Sequence, residues 1–275
     1  MSGGVTRSAK GSLLTLFTWI LVLLFFFPVF WMFLNAFKSE NDAASTTPLL
    51  IFTPDFSSFS TVQERGMTEY LVNSLLAAGG ATIVIILLAI PAAYALSIRP
   101  IKKVQDPLFF FISTRFMPVA ASVLPLYMIL KTLNMLDNVW TLVLIYGAIN
   151  LPIAIWMMRS FFMEIPMEIV EAAQIDGAGF FREMMRIVLP LVLPGIAAVG
   201  LIVFIFSWNE YFLATLLTGA DARTTPPFLG SFVDGRGQFL AVLSAAATVA
   251  ALPVILAGWI AQKQLVRGLA MGAIK

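Results

Sequence analysis

The sequence contains no cysteine and no histidine. It therefore cannot form a disulfide, a thiolate or imidazole metal site, or any catalytic machinery that depends on histidine. Charged residues are also scarce, at 12% of the 275 residues against about 25% in an average soluble domain. The chain has no G-x-x-x-x-G-K-[ST] phosphate-binding loop. These absences exclude most enzyme classes and ATP hydrolysis at a P-loop.

Long apolar runs take the place of the missing polar residues. Hydrophobic residues make up 60% of the chain, and a helix of about 20 apolar residues crosses the roughly 30 Å hydrocarbon core of a membrane. Such runs predict an all-α membrane protein with a single transmembrane domain over residues 1–275. The predicted spans are about 13–34, 72–96, 108–130, 139–158, 191–213 and 239–261. The first run is too long for the core of a signal peptide.

The positive residues predict the orientation of these spans. Of the 17 lysines and arginines, eleven would lie on the side of the N-terminus and five on the opposite side, while Arg115 falls inside the third run. Positively charged flanks usually stay in the cytoplasm. We therefore expect a multi-pass protein of the cytoplasmic membrane with both termini in the cytoplasm. The net charge of only +2 gives no support for nucleic-acid binding.

A polar segment, residues 160–189, separates the fourth and fifth runs on the side expected to be cytoplasmic. Pro166 suits the first turn of a helix, Met167 to Asp176 contains no helix breaker, and Gly177 can end the helix in a left-handed conformation. A second helical run would hold one apolar face and a polar remainder: Phe181, Met184, Met185 and Val188 against Arg182, Glu183 and Arg186. The first helix is too short to be stable alone in water, so it needs either the lipid interface or a partner protein.

The same segment resembles the EAA loop found in permease subunits of binding-protein-dependent ABC importers. The matching residues are Glu171-Ala172-Ala173, Asp176-Gly177-Ala178, Ile187, Leu189-Pro190-Leu191 and Pro194. The resemblance implies the ABC importer permease fold, in which this loop is a coupling helix seated in a cleft of the ATP-binding subunit. It also implies ATPase-coupling roles for Glu171, Ala172, Ala173, Asp176, Gly177 and Ala178. Gly179 departs from the Ser or Thr often found at its position.

Two further segments are similar to the second permease subunit of the maltose-type, or carbohydrate uptake, branch. They are Phe206-Ser207-Trp208-Asn209-Glu210-Tyr211 and residues 264–275. The resemblance implies a bacterial inner membrane and three kinds of partner: a homologous permease subunit, two ATP-binding subunits and an extracytoplasmic solute-binding protein. ATP and magnesium would be bound by the ATP-binding subunits, with no cofactor on this chain and no enzymatic activity of its own. The end of the chain is either a plain flexible terminus or a docking tail containing Gly268, Leu269, Gly272 and Ala273.

Polar and aromatic residues within the spans are candidates for the substrate pathway, because polar groups in a membrane are costly and usually face a cavity or a partner. The candidates are Asn73, Arg115, Tyr146, Asn150, Trp208, Asn209, Glu210 and Tyr211. The alternatives are a pair inside the bundle for Arg115, with Glu210 as one candidate partner, and an interhelical hydrogen bond from Asn209. The string Thr114-Arg115-Phe116-Met117-Pro118 is similar to polyol-transporting members of the branch. In some relatives the partner permease holds nearly all the substrate contacts.

The expected function is that of a transmembrane subunit of an ATP-driven importer. The chain would form half of the translocation pathway for a sugar, an oligosaccharide or a polyol. The alternatives are an ABC permease for a non-carbohydrate solute and an ATP-independent secondary transporter. The secondary transporter is disfavoured because Glu210 is the only plausible intramembrane carboxylate for ion coupling and no inverted repeat is visible in the sequence.

Overall fold

The structure, a computed structural model, describes residues 9–99, 103–116, 119–233 and 239–272, and their side chains except at 9–10, 119–120 and 264–272. Within these ranges all regular structure is helical. The helices are α1 Ala9–Asn35, α2 Glu40–Ala43, α3 Ser57–Glu64, α4 Met67–Ile98, α5 Gln105–Arg115, α6 Val119–Thr132, α7 Val139–Phe162, α8 Met167–Ile175, α9 Phe180–Glu183, a π-helical segment Met184–Val188, α10 Leu189–Trp208, α11 Phe212–Leu217, α12 Thr225–Gly230 and α13 Leu240–Gly272.

Five helical stretches in the described ranges are long and apolar enough to cross a membrane: Gly11–Asn35, Met67–Ile98, Val139–Phe162, Phe180–Trp208 and Leu240–Lys263. A shorter apolar helix, Ala121–Thr132, lies at the position of the third predicted span. The chain is therefore a multi-pass membrane protein, as its composition predicts. Its orientation stays a prediction.

The third predicted span, 108–130, is divided into two helices rather than formed by one. Near the end of α5, Ser113 Oγ donates to the carbonyl of Phe110 at 2.8 Å and Thr114 Oγ1 to that of Phe111 at 2.7 Å. Such side-chain bonds to the preceding turn compete with the helical backbone pattern. The next described helix, α6, starts directly after Pro118, a residue that has no N–H to donate. Met117 and Pro118 themselves lie outside the described residues.

The chain packs as two compact units, of which the first contains residues 1–67 and 231–250. In this unit the Glu40 carboxylate accepts hydrogen bonds from the backbone N–H groups of Ala241, at 3.1 Å, and Val242, at 2.9 Å. A carboxylate there satisfies donors at the start of α13 and favours its positive dipole end. Lys38 is buried, donates to Asn35 Oδ1 at 2.8 Å and lies over the Trp31 ring. Burial lowers the pKa of Lys38, against an opposing effect of the Asp42 carboxylate.

The second unit contains residues 68–230 and 251–275 and holds the predicted coupling loop and pathway residues. Its core is built mainly from α4, α7 and α10, with a row of alanines on α4 (Ala77, Ala81, Ala89 and Ala93). Small side chains on α4 allow the neighbouring helices to approach closely. At one end of the bundle, Arg159 Nε donates to the carbonyl of Leu96 at 3.2 Å and joins the ends of α7 and α4. The prediction of one transmembrane domain over the whole chain stays a prediction.

Candidate functional site

Local signals in the sequence form the helix α8. Pro166 precedes it with extended backbone angles, φ −60° and ψ 127°, and Glu168 lies in its first turn. At the other end Gly177 has φ +75°, and its N–H bonds the carbonyl of Gln174 at 3.1 Å. The N–H of Ala178 bonds the carbonyl of Ala173 at 2.9 Å. A left-handed glycine that returns the chain onto the last turn is a common helix end, so the predicted helix and its termination at Gly177 are confirmed.

The two faces of α8 differ in burial. Val170 and Ala173 are buried against the rest of the second unit, whereas Ile175 is 85% exposed. An exposed face, which we call the docking face, contains Glu171, Ala172, Ile175 and Asp176. Among the six predicted coupling residues, Gly177 is also exposed, Ala178 is half-buried, and Ala173 faces inward. The exposure of Ile175 is a feature that the sequence pattern did not predict.

A buried carboxylate lies behind α8. The Glu183 side chain is only 1% exposed and accepts a hydrogen bond from the Tyr94 hydroxyl at Oε1 and one from Gln174 Nε2 at Oε2, the latter at 3.0 Å. Arg99 Nη2 lies 3.5 Å from Oε1, which makes this the one ion pair within the described part of the chain. The sequence pattern placed Glu183 on a polar face, and that interpretation is wrong because its partners come from α4 and α8.

The second helical run of the loop also differs from its predicted form. Val188 is fully buried and Met184 partly so, whereas Phe181 is 70% and Met185 46% exposed. A single face therefore does not hold all four apolar residues. The physical reason is the π-helical segment Met184–Val188, because its wider turn shifts the residues that follow relative to an α-helical register.

A second polar cluster surrounds Asn150 of α7. Asn150 is at the middle of α7, with eleven residues of the helix before it and twelve after it. Arg115 Nη1 donates to Asn150 Oδ1 at 3.2 Å and to the carbonyl of Ile149 at 2.9 Å. Asn150 Nδ2 donates to Ser207 Oγ at 3.3 Å, and the Arg115 guanidinium lies 5.6 Å from the Phe206 ring centre. The cluster therefore joins the end of α5, the middle of α7 and the end of α10.

Of the alternative interpretations of these span residues, a pair inside the bundle is observed for Arg115, but with Asn150 and the Ile149 carbonyl in place of Glu210. The Glu210 carboxylate does not pair with Arg115, because it accepts from the backbone N–H groups of Leu213 and Ala214, both at 2.9 Å, and caps α11. Asn209 donates to the carbonyl of Ile205 in its own helix at 2.8 Å, so no interhelical bond is made by this group. Residues 209–211 separate α10 from α11 and interrupt the fifth predicted span.

The other pathway candidates occupy different surroundings. Asn73 Nδ2 donates to the carbonyls of Asp221, at 2.8 Å, and Arg223, at 3.1 Å, and so anchors a loop. Tyr146 and Trp208 are buried, whereas Tyr211 is 51% exposed. Of the eight candidates, those with exposed side chains are Arg115, Asn209 and Tyr211. A role of these residues in the substrate pathway stays a prediction.

The remaining predicted site is the end of the chain. Gly268, Leu269 and Gly272 belong to the last turns of α13, which runs to Gly272. Ala273 lies outside the described residues. A docking role for this tail stays a prediction. In the described ranges there is no group of three or more acidic side chains that could hold a metal ion.

One loop at the opposite end of α7 from α8 is held by a single carboxylate. Asp137 accepts hydrogen bonds from four successive backbone N–H groups, those of Gly219, Ala220, Asp221 and Ala222, at 2.8 to 3.1 Å. Burial alone would raise the pKa of Asp137, but the four N–H donors outweigh it and hold the pKa below its ordinary value. The pKa of Asp137 is thus lower in the folded protein than in the unfolded chain. The carboxylate therefore contributes its full stabilisation at pH values above the ordinary pKa of aspartate, and this stabilisation is lost as the pH falls through the lowered folded pKa.

Replacing Asp137 by asparagine is expected to destabilise the protein by about 1–3 kcal/mol at neutral pH, because an uncharged amide replaces an acceptor of four N–H groups. Thermal unfolding of the purified protein in detergent measures the change. The difference between the variant and the original chain should shrink below about pH 4, near the ordinary pKa of aspartate. Asp221→Asn, an exposed aspartate of the same loop, is the matched control. A melting temperature equal to that of the control would contradict the role of Asp137.

Comparison with known proteins gives a consistent set of relatives. A family model described as binding-protein-dependent transport system inner membrane component matches residues 85–270. The chain is 35% identical to the probable ABC transporter permease protein y4oR of Sinorhizobium fredii, covering 100% of this chain and 99% of that protein. It is 31% identical to the diacetylchitobiose uptake system permease protein DasC of Streptomyces coelicolor, covering 90% and 91%.

A solved structure shares the fold. A chain of a bacterial ABC transporter involved in the import of the acidic polysaccharide alginate superposes with a TM-score of 0.76 at 22% sequence identity. The match covers 96% of this chain and 99% of that chain. This chain therefore shares its overall fold with a chain of a solved transporter.

Proposed function

Because the chain belongs to the family of binding-protein-dependent transport system inner membrane components, we propose that it forms half of the translocation pathway of an ATP-driven ABC importer. The chain supplies membrane-spanning helices and no P-loop. A separate subunit pair would bind ATP and magnesium and hydrolyse the nucleotide. A homologous permease would supply the other half of the pathway.

The observation that carries this proposal is the docking face of α8. It exposes a large apolar side chain, Ile175, between the acidic residues Glu171 and Asp176, while Val170 and Ala173 hold the helix to the bundle. An interfacial helix that binds anionic lipid is usually rich in Lys and Arg on its polar face, and α8 contains neither. A basic, concave protein surface suits this face better than lipid does.

The positive-inside pattern supports an orientation with α8 in the cytoplasm, where the ATP-binding subunits would meet it. An extracytoplasmic solute-binding protein would then approach from the other side. The loop that Asp137 anchors, residues 219–222, lies at the end of α7 remote from α8 and is suited to this contact. In this arrangement the second unit contains both partner surfaces.

The proposed substrate is a sugar, an oligosaccharide or a polyol. This rests on the names of relatives, one a diacetylchitobiose uptake permease and one part of an alginate importer. The exposed groups of Arg115, Asn209 and Tyr211 offer hydrogen-bond donors, acceptors and an aromatic face. Those are the groups that recognise polyhydroxylated solutes.

Uptake into proteoliposomes tests the function. The chain, its partner permease and the ATP-binding subunits are reconstituted together, and uptake of labelled sugars is measured with the solute-binding protein added on the side opposite to ATP. Accumulation is expected only when ATP and the binding protein are both present. Uptake that continues on an ion gradient, with the ATP-binding subunits left out, would overturn the proposal and favour a secondary transporter.

A further inference from the structure

Glu183 connects α8, nine residues earlier, to the end of α4, 84 to 89 residues earlier. Its two carboxylate oxygens bind Gln174 on α8, Tyr94 near the end of α4 and Arg99 just after α4. We propose that Glu183 is a positioning residue, which fixes α8 to the end of α4 so that a displacement of α8 is passed directly into that helix. The proposal rests on the function proposed above, since it requires that α8 is moved by an ATP-binding subunit.

The burial of Glu183 separates it from the docking face. At 1% exposure its carboxylate is not available to a partner, whereas Arg99 is 36% exposed. A buried carboxylate is costly unless it is paired and hydrogen-bonded. Here each oxygen has at least one donor, with Gln174 Nε2 at 3.0 Å on Oε2 and the Tyr94 hydroxyl on Oε1. The Glu183 carboxylate is therefore an internal contact with its hydrogen bonds satisfied, and it is not part of the docking face.

Hydrogen bonds to the Glu183 carboxylate fix the orientation of α8 more closely than apolar contacts alone. Val170 and Ala173 attach α8 through non-directional packing, which allows a short helix to slide. Hydrogen bonds to a carboxylate are directional and roughly twice as strong as those between neutral groups. Gln174 lies on α8 next to the buried Ala173, so its bond to Glu183 fixes the rotation of the helix as well as its position.

The end of α4 that contacts Glu183 is closely packed. The Tyr94 ring is fully buried and packs edge-on against two other rings. Its centre lies 6.2 Å from the ring centre of Phe162 at the end of α7 and 5.4 Å from that of Phe180 at the start of α9. Arg99 lies over the rings of Tyr94, at 5.4 Å, and Phe180, at 5.6 Å. α4 extends from here over 32 residues through the bundle. A displacement of α8 would therefore be transmitted to the long helix α4 through the Glu183 carboxylate.

The test uses the full reconstituted importer with Glu183→Gln, Tyr94→Phe and the double variant. Glu164→Gln, an exposed glutamate of the same loop, is the matched control. Three quantities are measured: co-purification with the ATP-binding subunits, melting temperature, and solute molecules transported per ATP hydrolysed. Tyr94→Phe keeps the ring packing and removes only the hydroxyl, so it decides the question if Glu183→Gln does not accumulate in the membrane.

Each single variant is expected to lower the ratio of solute to ATP about fivefold or more, with co-purification close to that of the control and a melting temperature lowered only by the loss of one buried hydrogen bond. The ratio of solute to ATP in the double variant should be no lower than that of the more impaired single variant, because both changes act on the same carboxylate. An unchanged ratio in Tyr94→Phe would overturn the proposal, as would a loss that follows the melting temperature. Failure of the original chain to co-purify with the ATP-binding subunits would instead overturn the proposed function, and this inference with it.

Discussion

Replacement of Gly177 by valine is expected to lower ATP-driven uptake at least about tenfold while the chain still inserts into the membrane. Gly177 has φ +75°, and a left-handed conformation costs an L-residue roughly 1–2 kcal/mol, with a further penalty for a β-branched side chain. The nine residues of α8 are too few to form a stable helix alone, so the chain would escape this cost by unwinding the end that carries the docking face. Uptake and co-purification of the ATP-binding subunits measure the effect.

Gly179→Val is the matched control for this prediction. Gly179 has φ −68° and ψ 162°, which valine adopts readily, and a Cβ atom added at either glycine would meet no neighbouring atom within 4 Å. The two variants therefore add the same side chain to open space two residues apart and differ in backbone strain. Uptake by Gly179→Val should stay close to that of the original chain. An equal loss in both variants, or normal uptake by Gly177→Val, would show that the left-handed turn is not required.

The local signals in the α8 loop explain why its backbone could be predicted from sequence. Pro166 before the helix and Gly177 after it each act on their own residue and the next turn, without help from the rest of the chain. The helix observed between them, Met167–Ile175, ends one residue before its predicted last residue. Structural features that depend only on neighbouring residues can therefore be predicted from the sequence.

Which residues of this loop are buried could not be predicted in the same way. Ala172 and Ala173 are chemically identical, and only the surface beneath α8 determines that Ala173 is the buried one. The sequence pattern assigned Glu183 to a polar face because its partner Tyr94 is 89 residues earlier in the chain. The π-helical turn that follows it is also invisible to a periodicity of 3.6 residues.

The polar cluster in the spans shows a second limit of the sequence pattern. Hydropathy correctly indicates that Arg115 is unusual, because a charge within an apolar run is costly. It does not reveal the partner, and the expected carboxylate of Glu210 is already used to cap α11. Arg115 binds the carbonyl of Ile149 and the side chain of Asn150 instead. Pairing within a membrane depends on which helices are neighbours, and apolar runs carry little information about that.

Replacement of Gly195 by alanine is expected to be the most destabilising single-methyl change in the described bundle. A Cβ atom at this position of α10 would lie 2.6 Å from Cδ2 and 2.7 Å from Cδ1 of Phe161, and nearer still to Cγ. The aromatic ring near the end of α7 is rigid at those atoms, so α7 and α10 would have to separate where the α8 loop leaves the bundle. Such overpacking typically costs about 1–3 kcal/mol. We expect a lower melting temperature in detergent and a smaller yield of assembled importer.

Gly200→Ala in the same helix is the control, and its effect should have the opposite sign. A Cβ atom there would meet Ile86 Cδ1 at 3.9 Å, an ordinary contact, and alanine favours a helix interior over glycine by roughly 0.5–1 kcal/mol. The double variant Gly195→Ala with Phe161→Leu should recover much of the lost stability, because the smaller side chain makes room for the added methyl group. If Gly195→Ala melts at or above the temperature of the original chain, or if Phe161→Leu gives no recovery, then the contact between Gly195 and Phe161 does not limit how closely α7 and α10 pack.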